Sequence, residues 1–125
     1  MKVILADRSG LIKQRLIALL GDRQKIQVVG QPMNSAEVIS DVWKFQPDAL
    51  VIDPLITDGA IIEVLTTIKK NHPGIFVIVA TGNTDTVLGK KCLAAGADLL
   101  LNKSSEFNRI IEALKERHRT RGERK

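Results

Sequence analysis

Four polar residues each follow a short apolar run, and together they could transfer a phosphoryl group. They are Asp7 after VILA, Asp53 after ALVI, Thr81 after IFVIVA and Lys103 just after LLL. A carboxylate such as Asp53 can act as the nucleophile, and Asp7 can bind Mg²⁺, an ion that prefers oxygen ligands. Thr81 can donate a hydrogen bond to a phosphoryl oxygen, while the Lys103 ammonium can neutralise developing charge. Each residue alone is more simply explained as a strand end or helix cap, but the four together favour one site.

The four side chains can meet if the apolar runs are strands of one sheet. Five runs, rich in Val, Ile and Leu and mostly without alternation, are typical of strands buried on both faces of a parallel sheet. They span residues 2–6, 26–30, 49–52, 75–80 and 99–101. Their alternation with helical patterns predicts a doubly wound five-stranded α/β fold of the flavodoxin-like order 2-1-3-4-5, with five helices. Ligands bind beyond the carboxyl ends of such strands, where the four polar residues would lie.

Two of the helical patterns are clearly amphipathic, with apolar residues at i, i+3, i+4 and i+7. These residues are Ile61, Val64, Leu65 and Ile68 in the third helix, and Phe107, Ile110, Ile111 and Leu114 in the last. The second helix should begin near Ala36, and we expect its Trp43 to pack in the core or in a groove.

The formal net charge of +5 does not describe the whole surface. Residues 115–125, KERHRTRGERK, hold six basic and two acidic residues, which leaves a charge of only about +1 for the rest. With no Tyr, one Trp and three Phe, the chain also has few rings on which bases could stack. We therefore expect one domain over residues 1–117, a basic tail or linker over 118–125, and no direct binding of nucleic acid by the domain.

Composition also limits the cellular location and the sulfur chemistry. The sequence contains no apolar run of 18 residues and no signal-peptide pattern, so we expect no membrane association and a cytoplasmic location. The single cysteine, Cys92, cannot form an internal disulfide, and we expect it to be buried.

The order and spacing of these motifs resemble the receiver domain of bacterial two-component response regulators. The resemblance covers about residues 2–116, through the segments VILADRSGLIKQRLIALL, IQVVGQPMNSAEVI, PDALVID, DG, VIVATG and AAGADLLLNKS. It implies that Asp53 is the phosphoacceptor, that Thr81 is the switch hydroxyl and that Lys103 is the characteristic lysine of the family. IQVVGQ and KS resemble the subfamily that carries a helix-turn-helix output domain, which we do not expect within these 125 residues.

The resemblance also implies how such a domain works. Its phosphodonor would be a sensor histidine kinase or a phosphotransfer protein. Its output domain or partner protein would bind the face formed by helix 4, strand 5 and helix 5, and a homodimer is a further option. It would not be an enzyme beyond self-phosphorylation from small donors and self-dephosphorylation.

Three positions depart from the family pattern. The second acid, usually the stronger metal ligand, falls on Arg8, and the aromatic switch position falls on Leu100. The loop from Asp53 to the Asp-Gly pair is two residues shorter than usual, and Leu55 takes the position whose backbone carbonyl would bind the metal. Mg²⁺, expected on Asp7, Asp53 and the Leu55 carbonyl, should therefore bind weakly.

Arg8 leaves several interpretations open, because arginine is always charged and cannot bind Mg²⁺. In one, its guanidinium replaces the metal beside Asp53 and the domain is a phosphorylation-independent pseudo-receiver, an interaction module. In another, Arg8 turns to solvent or contacts the phosphoryl group, and phosphorylation is weakened but real. In a third, Arg8 points into water while Asp7 binds the metal alone. The presence of Asp53, Thr81 and Lys103 favours phosphate chemistry, although Lys103 could simply pair with Asp53.

Two other function classes are less well supported. The segment ATGNTDT at 80–86 resembles a phosphate-cradling loop of a flavin or nucleotide binder. It follows strand four, however, whereas flavodoxin-type loops follow strand one, and no G-x-G-x-x-G or P-loop motif is present. Nucleic-acid binding through the basic tail is the other class, but such a segment is more often a solvated terminus or a linker.

Overall fold

The computed structural model describes residues 1–20 and 26–123, which form a parallel sheet between two layers of helices. The strands are β1 (Lys2–Ala6), β2 (Gln27–Gly30), β3 (Ala49–Ile52), β4 (Phe76–Thr81) and β5 (Leu99–Asn102). They pair in the order β2-β1-β3-β4-β5, and every pair is parallel. The predicted doubly wound fold and its strand order are confirmed.

In the described part of the chain, five α-helices connect or follow these strands. They are α1 (Gly10–Leu20), α2 (Ser35–Phe45), α3 (Ile61–Asn71), α4 (Val87–Ala94) and α5 (Phe107–Glu123), and a short 3₁₀ helix spans Pro54–Thr57. Side-chain caps fix two of the starts, because Asn34 accepts the N–H of Glu37 and Thr86 accepts the N–H of Gly89. No helix in the described part of the chain is long and apolar enough to cross a membrane.

The sheet buries one apolar cluster on each face. Strand residues pack against α2, α3 and α4 on one face, and against α1 and α5 on the other. The eight apolar residues predicted for the inner faces of the third and last helices are all buried, as is Cys92. Strand β3 is buried along its whole length, which explains why its sequence lacks polar alternation.

The structure adds detail to the sequence-based expectations at Trp43 and at the end of α5. Trp43 does not pack in the core, one of its two expected positions, since the residue is 60% exposed. It touches His72, just after α3, edge to face, as a side chain in a groove between α2 and α3 would. Val38 and Val42, four residues apart, already occupy the inner face of α2, so the residue after Val42 points outward. Helix α5 continues to Glu123, through most of the expected tail, and residues 124 and 125 lie outside the described residues.

Candidate functional site

The candidate site lies at the carboxyl edge of the sheet, and its side chains belong to residues at or just after the strand ends. Ala6 and Ile52 are register partners in β1 and β3, so the residues that follow them, Asp7 and Asp53, lie side by side. Thr81 ends β4 opposite Asn102, the last residue of β5. The structure therefore places all four predicted residues at one edge and brings Asp7, Asp53 and Lys103 into contact.

Lys103 lies between the two carboxylates. Its Nζ is 2.6 Å from Oδ2 of Asp53 and 3.6 Å from Oδ2 of Asp7. Asp53 is only 3% exposed and Asp7 only 6%, so water screens these contacts poorly. Lys103 therefore pairs with Asp53, a contact that the sequence left open.

Backbone donors orient the other oxygen of each carboxylate. Oδ1 of Asp7 accepts the N–H of Ser9 at 2.7 Å, and Oδ1 of Asp53 accepts the N–H of Leu55 at 2.9 Å. Both bonds reach two residues along the chain, as in the Asx turns that short acidic side chains form at strand ends. The two carboxylates are therefore held in place before any phosphodonor binds.

The surroundings of Lys103 keep its ammonium charged. Partial burial lowers the pKa of Lys103, but the hydrogen bond to Asp53 and the negative charges of Asp7 and Asp53 outweigh it and raise the pKa above its ordinary value. At neutral pH the site thus contains a permanent cation supplied by the chain.

Arg8 forms an ion pair with an acid other than Asp7 and Asp53, one that was not among the predicted site residues. Its guanidinium lies 3.5 Å from Oδ1 of Asp58, and this is the ion pair that it makes within the described residues. The two side chains are 53% and 83% exposed. Asp58 has a left-handed backbone, with φ of 49°, in the turn that ends the 3₁₀ helix. The only sequence signal for it was the Asp-Gly pair at 58 and 59.

The residues expected to hold Mg²⁺ fit the ion poorly. Arg8 stands where a second acid would be, and Lys103 already supplies positive charge beside Asp7 and Asp53. Leu55 is 72% exposed, and it donates its N–H, not its carbonyl, to Asp53. Within the described residues no group of three or more His, Cys, Asp or Glu could hold a metal ion.

Thr81 and Leu100 lie at the boundary between the site and helix α4. The Thr81 hydroxyl accepts the N–H of Asn83 at 3.4 Å, a long hydrogen bond that leaves it able to donate elsewhere. Leu100 packs against Gly89 of α4, where an added Cβ would lie 2.8 Å from Cδ2 of Leu100. A cavity of only about 20 Å³ remains beside these residues. The aromatic position of the resemblance is thus filled by a compact aliphatic side chain.

Sequence reasoning missed Asn102, which precedes Lys103. It is half-buried at the end of an otherwise apolar strand, and its side chain bonds to the backbone of the loops on both sides of the site. The signal for it was the single polar residue at the end of LLLN.

Comparisons with known proteins agree with this architecture. The model of the family described as "Response regulator receiver domain" matches residues 3–115. Among curated proteins, the response regulator protein VraR of Staphylococcus aureus is 29% identical over 122 residues, which is 98% of this chain and 57% of VraR. The chain therefore spans little more than half the length of the curated relatives it matches.

Solved structures extend the likeness to the backbone. The signal receiver domain of the putative response regulator NarL from Mycobacterium tuberculosis has a TM-score of 0.81 at 18% identity, covering 94% of this chain and 95% of that one. The response regulator domain of CheB from Thermotoga maritima has a TM-score of 0.74 at 22% identity, covering 96% and 94% of the two chains. At these identities the likeness shows a shared fold.

Proposed function

This chain belongs to the family of response regulator receiver domains, which act in two-component signalling, and from that premise we propose that it accepts a phosphoryl group on Asp53. The observation that carries the proposal is the 2.6 Å contact between Lys103 and the buried Asp53 carboxylate. A cation next to the nucleophile can stabilise the charge that develops on the transferring group, which is the main requirement of this chemistry.

In the proposed reaction an oxygen of Asp53 forms a bond to phosphorus, and the bond from phosphorus to the donor's leaving atom breaks. The electron pair of that bond departs with the donor group, and Asp53 becomes an acyl phosphate. The leaving imidazole of a phosphohistidine takes up a proton, whereas acetyl phosphate releases acetate, which needs none. Lys103 remains charged and neutralises the phosphoryl oxygens. The Thr81 hydroxyl, at the same edge of the sheet, donates a hydrogen bond to one of them.

We propose that Mg²⁺ assists this reaction only weakly. Asp7 and Asp53 offer oxygen ligands, but the chain places Arg8 at the position of a further acid, and Lys103 competes for the same oxygens. A divalent ion would have to displace part of that ion pair, at a cost in electrostatic free energy. The reaction should therefore proceed slowly without the metal.

The second candidate is a phosphorylation-independent pseudo-receiver, an interaction module. It is favoured by the donors that both Asp53 oxygens already have, namely Lys103 Nζ and the Leu55 N–H. In the form predicted from the sequence, Arg8 occupied the metal site. Because Arg8 pairs with Asp58 instead, we propose that in this candidate Lys103 is the cation that takes the place of the metal.

The proposed partners follow from the family. A sensor histidine kinase or phosphotransfer protein in the cytoplasm would supply the phosphoryl group, and the surface of α4, β5 and α5 would contact an output domain, a partner protein or a second copy. We propose no enzymatic activity beyond self-phosphorylation from small donors and self-dephosphorylation.

The test is intact-mass measurement after incubation with a small phosphodonor, with and without Mg²⁺. We expect slow, weakly metal-dependent addition of one phosphoryl group to the native chain and none to Asp53→Ala. Arg8→Asp, which adds an acid at the metal position, should label faster and depend more on Mg²⁺. Asp85→Ala, which removes an exposed acid from the loop after β4, should behave like the native chain. If neither the native chain nor Arg8→Asp is labelled, the pseudo-receiver replaces this proposal.

A further inference from the structure

Asn102 ties together the two loops that carry Thr81 and Lys103. Its Nδ2 donates to the carbonyl of Gly82 at 3.2 Å, in the loop that follows Thr81. Its Oδ1 accepts the N–H groups of Ser104 and Ser105, both at 2.9 Å, in the turn that follows Lys103. One side chain thus joins three backbone groups on two loops.

The backbone on both sides of Lys103 is fixed as well. The N–H of Asn102 donates to Oε1 of Glu106 at 2.9 Å, and the carbonyl of Asn102 accepts the N–H of Glu106 at 3.0 Å. The N–H of Lys103 donates to the carbonyl of Thr81 at 2.9 Å. The Lys103 side chain therefore extends toward Asp53 from a turn whose backbone has little freedom to move.

This rigidity matters because the Lys103 ammonium, on a flexible four-carbon side chain, must be held at a defined position beside Asp53. Lys103 loses side-chain entropy when it is held against Asp53. A catalytic group that is displaced by about 1 Å from its productive position can lose about a hundredfold in rate. A fixed turn limits such displacements at the base of the side chain.

We propose that Asn102 is a positioning residue for phosphoryl transfer. It fixes the turn that carries Lys103 relative to the loop that carries Thr81, so that the ammonium remains in contact with Asp53. The inference rests on the proposed phosphoacceptor function and adds to it a residue that does not itself touch the reacting atoms. The polar amide at the end of an apolar strand, bonded to both loops, carries the assignment.

Two substitutions separate the contacts of Asn102. Asn102→Leu removes all three hydrogen bonds. Asn102→Asp keeps an acceptor for the Ser104 and Ser105 N–H groups, but places an oxygen opposite the carbonyl of Gly82, where the donor was. Asn108, exposed on the first turn of α5, gives matched controls as Asn108→Leu and Asn108→Asp.

The experiment measures the labelling rate of the full chain as a function of acetyl phosphate concentration. Asn102→Leu should lower the maximal rate about tenfold and leave the half-saturating concentration unchanged, because the turn acts on the transfer step and not on donor binding. Asn102→Asp should lower the maximal rate by a smaller factor, and it carries the test if the leucine variant does not fold. The Asn108 variants should match the native chain.

The outcomes distinguish this inference from the function on which it rests. If the native chain is labelled and Asn102→Leu, or Asn102→Asp where the leucine variant does not fold, reaches the native maximal rate, the positioning role is wrong while the phosphoacceptor function stands. If the loss appears only in the half-saturating concentration, Asn102 affects donor binding and the positioning role is equally wrong. If the native chain is not labelled at all, the proposed function fails and the inference fails with it.

Discussion

Two ion pairs at this edge of the sheet differ in their surroundings. Lys103 contacts Asp53 and Asp7 where both carboxylates are buried, whereas Arg8 and Asp58 meet in solvent. Exposed pairs are screened by water and salt and contribute little to stability, but removal of one partner from a buried pair leaves an uncompensated charge. The two pairs should therefore respond very differently to substitution.

We predict that Asp58→Asn changes the free energy of unfolding by less than about 1 kcal/mol, because it breaks only the exposed pair. Lys103→Met keeps an unbranched side chain one atom shorter but leaves two buried carboxylates without their cation, and it should cost about 2 kcal/mol or more. Urea denaturation at neutral pH measures both. Equal losses from the two substitutions would contradict the assignment of Lys103 as the cation of the site.

A pH dependence follows from Glu106, which accepts the N–H of Asn102 and pairs with Arg109. These contacts lower the pKa of Glu106 below its ordinary value of 4.5, the hydrogen bond to Asn102 being the main cause. Its contribution to stability is therefore present above that ordinary value and is lost as the pH falls through the lower pKa of the folded state. Denaturation between neutral and acidic pH should show a shallower acid decline for Glu106→Gln than for the native chain. Parallel curves would show that this carboxylate does not stabilise the turn.

Helix α4 is held close to β5 by the absence of a side chain at Gly89. A Cβ there would lie 2.8 Å from Cδ2 of Leu100 and 2.9 Å from the carbonyl of Thr84. The carbonyl belongs to the backbone and cannot turn aside as a flexible side chain can. The spacing of these two elements is thus set by Gly89 and Leu100 together, and the narrow space leaves no room for an inward ring at position 100.

We predict that Gly89→Ala lowers the free energy of unfolding by about 1–3 kcal/mol, although alanine is the better helix former. Gly10→Ala is the control, since a Cβ at that glycine, the first residue of α1, meets no atom within 4 Å. Thermal or urea denaturation of the two variants should show a loss for the first and none for the second. A stabilised Gly89→Ala variant would mean that α4 lies farther from β5 than the structure indicates.

The candidate site and a structural bridge occupy opposite edges of the sheet. At the amino-terminal edge, Lys69 of α3 binds Asp98 at 2.8 Å and the carbonyl of Ile75 at 2.6 Å. Asp98 also accepts the N–H of Val77 at 2.8 Å. The bridge joins α3 to the starts of β4 and β5, at the edge opposite to Asp7, Asp53 and Lys103.

The sequence was informative wherever periodicity decides the structure. Buried parallel strands gave continuous apolar runs, and the carboxyl ends of such strands meet, which is why Asp7, Asp53 and Lys103 were correctly placed together. The direction of Arg8 could not be predicted, because its partner Asp58 lies fifty positions away in an exposed turn. The two-loop contacts of Asn102 likewise depend on tertiary packing that local patterns do not encode. The outward side of Trp43, by contrast, follows from the helical positions of Val38 and Val42, which are buried one turn apart in α2.

We propose that Asp53 accepts a phosphoryl group in a site whose cation, Lys103, is supplied by the chain. Borohydride converts an aspartyl phosphate to homoserine, and peptide mass spectrometry then locates the homoserine in the chain. The two steps together test whether Asp53 is the residue that is phosphorylated. The chain would be incubated with acetyl phosphate either in Mg²⁺ or in EDTA before reduction. We predict homoserine at position 53 in both samples, with only moderately more in Mg²⁺, and none at positions 7 or 58. Modification at another aspartate would show that Asp53 is not the phosphoacceptor, and modification at position 53 only in Mg²⁺ would show that Lys103 does not replace the metal.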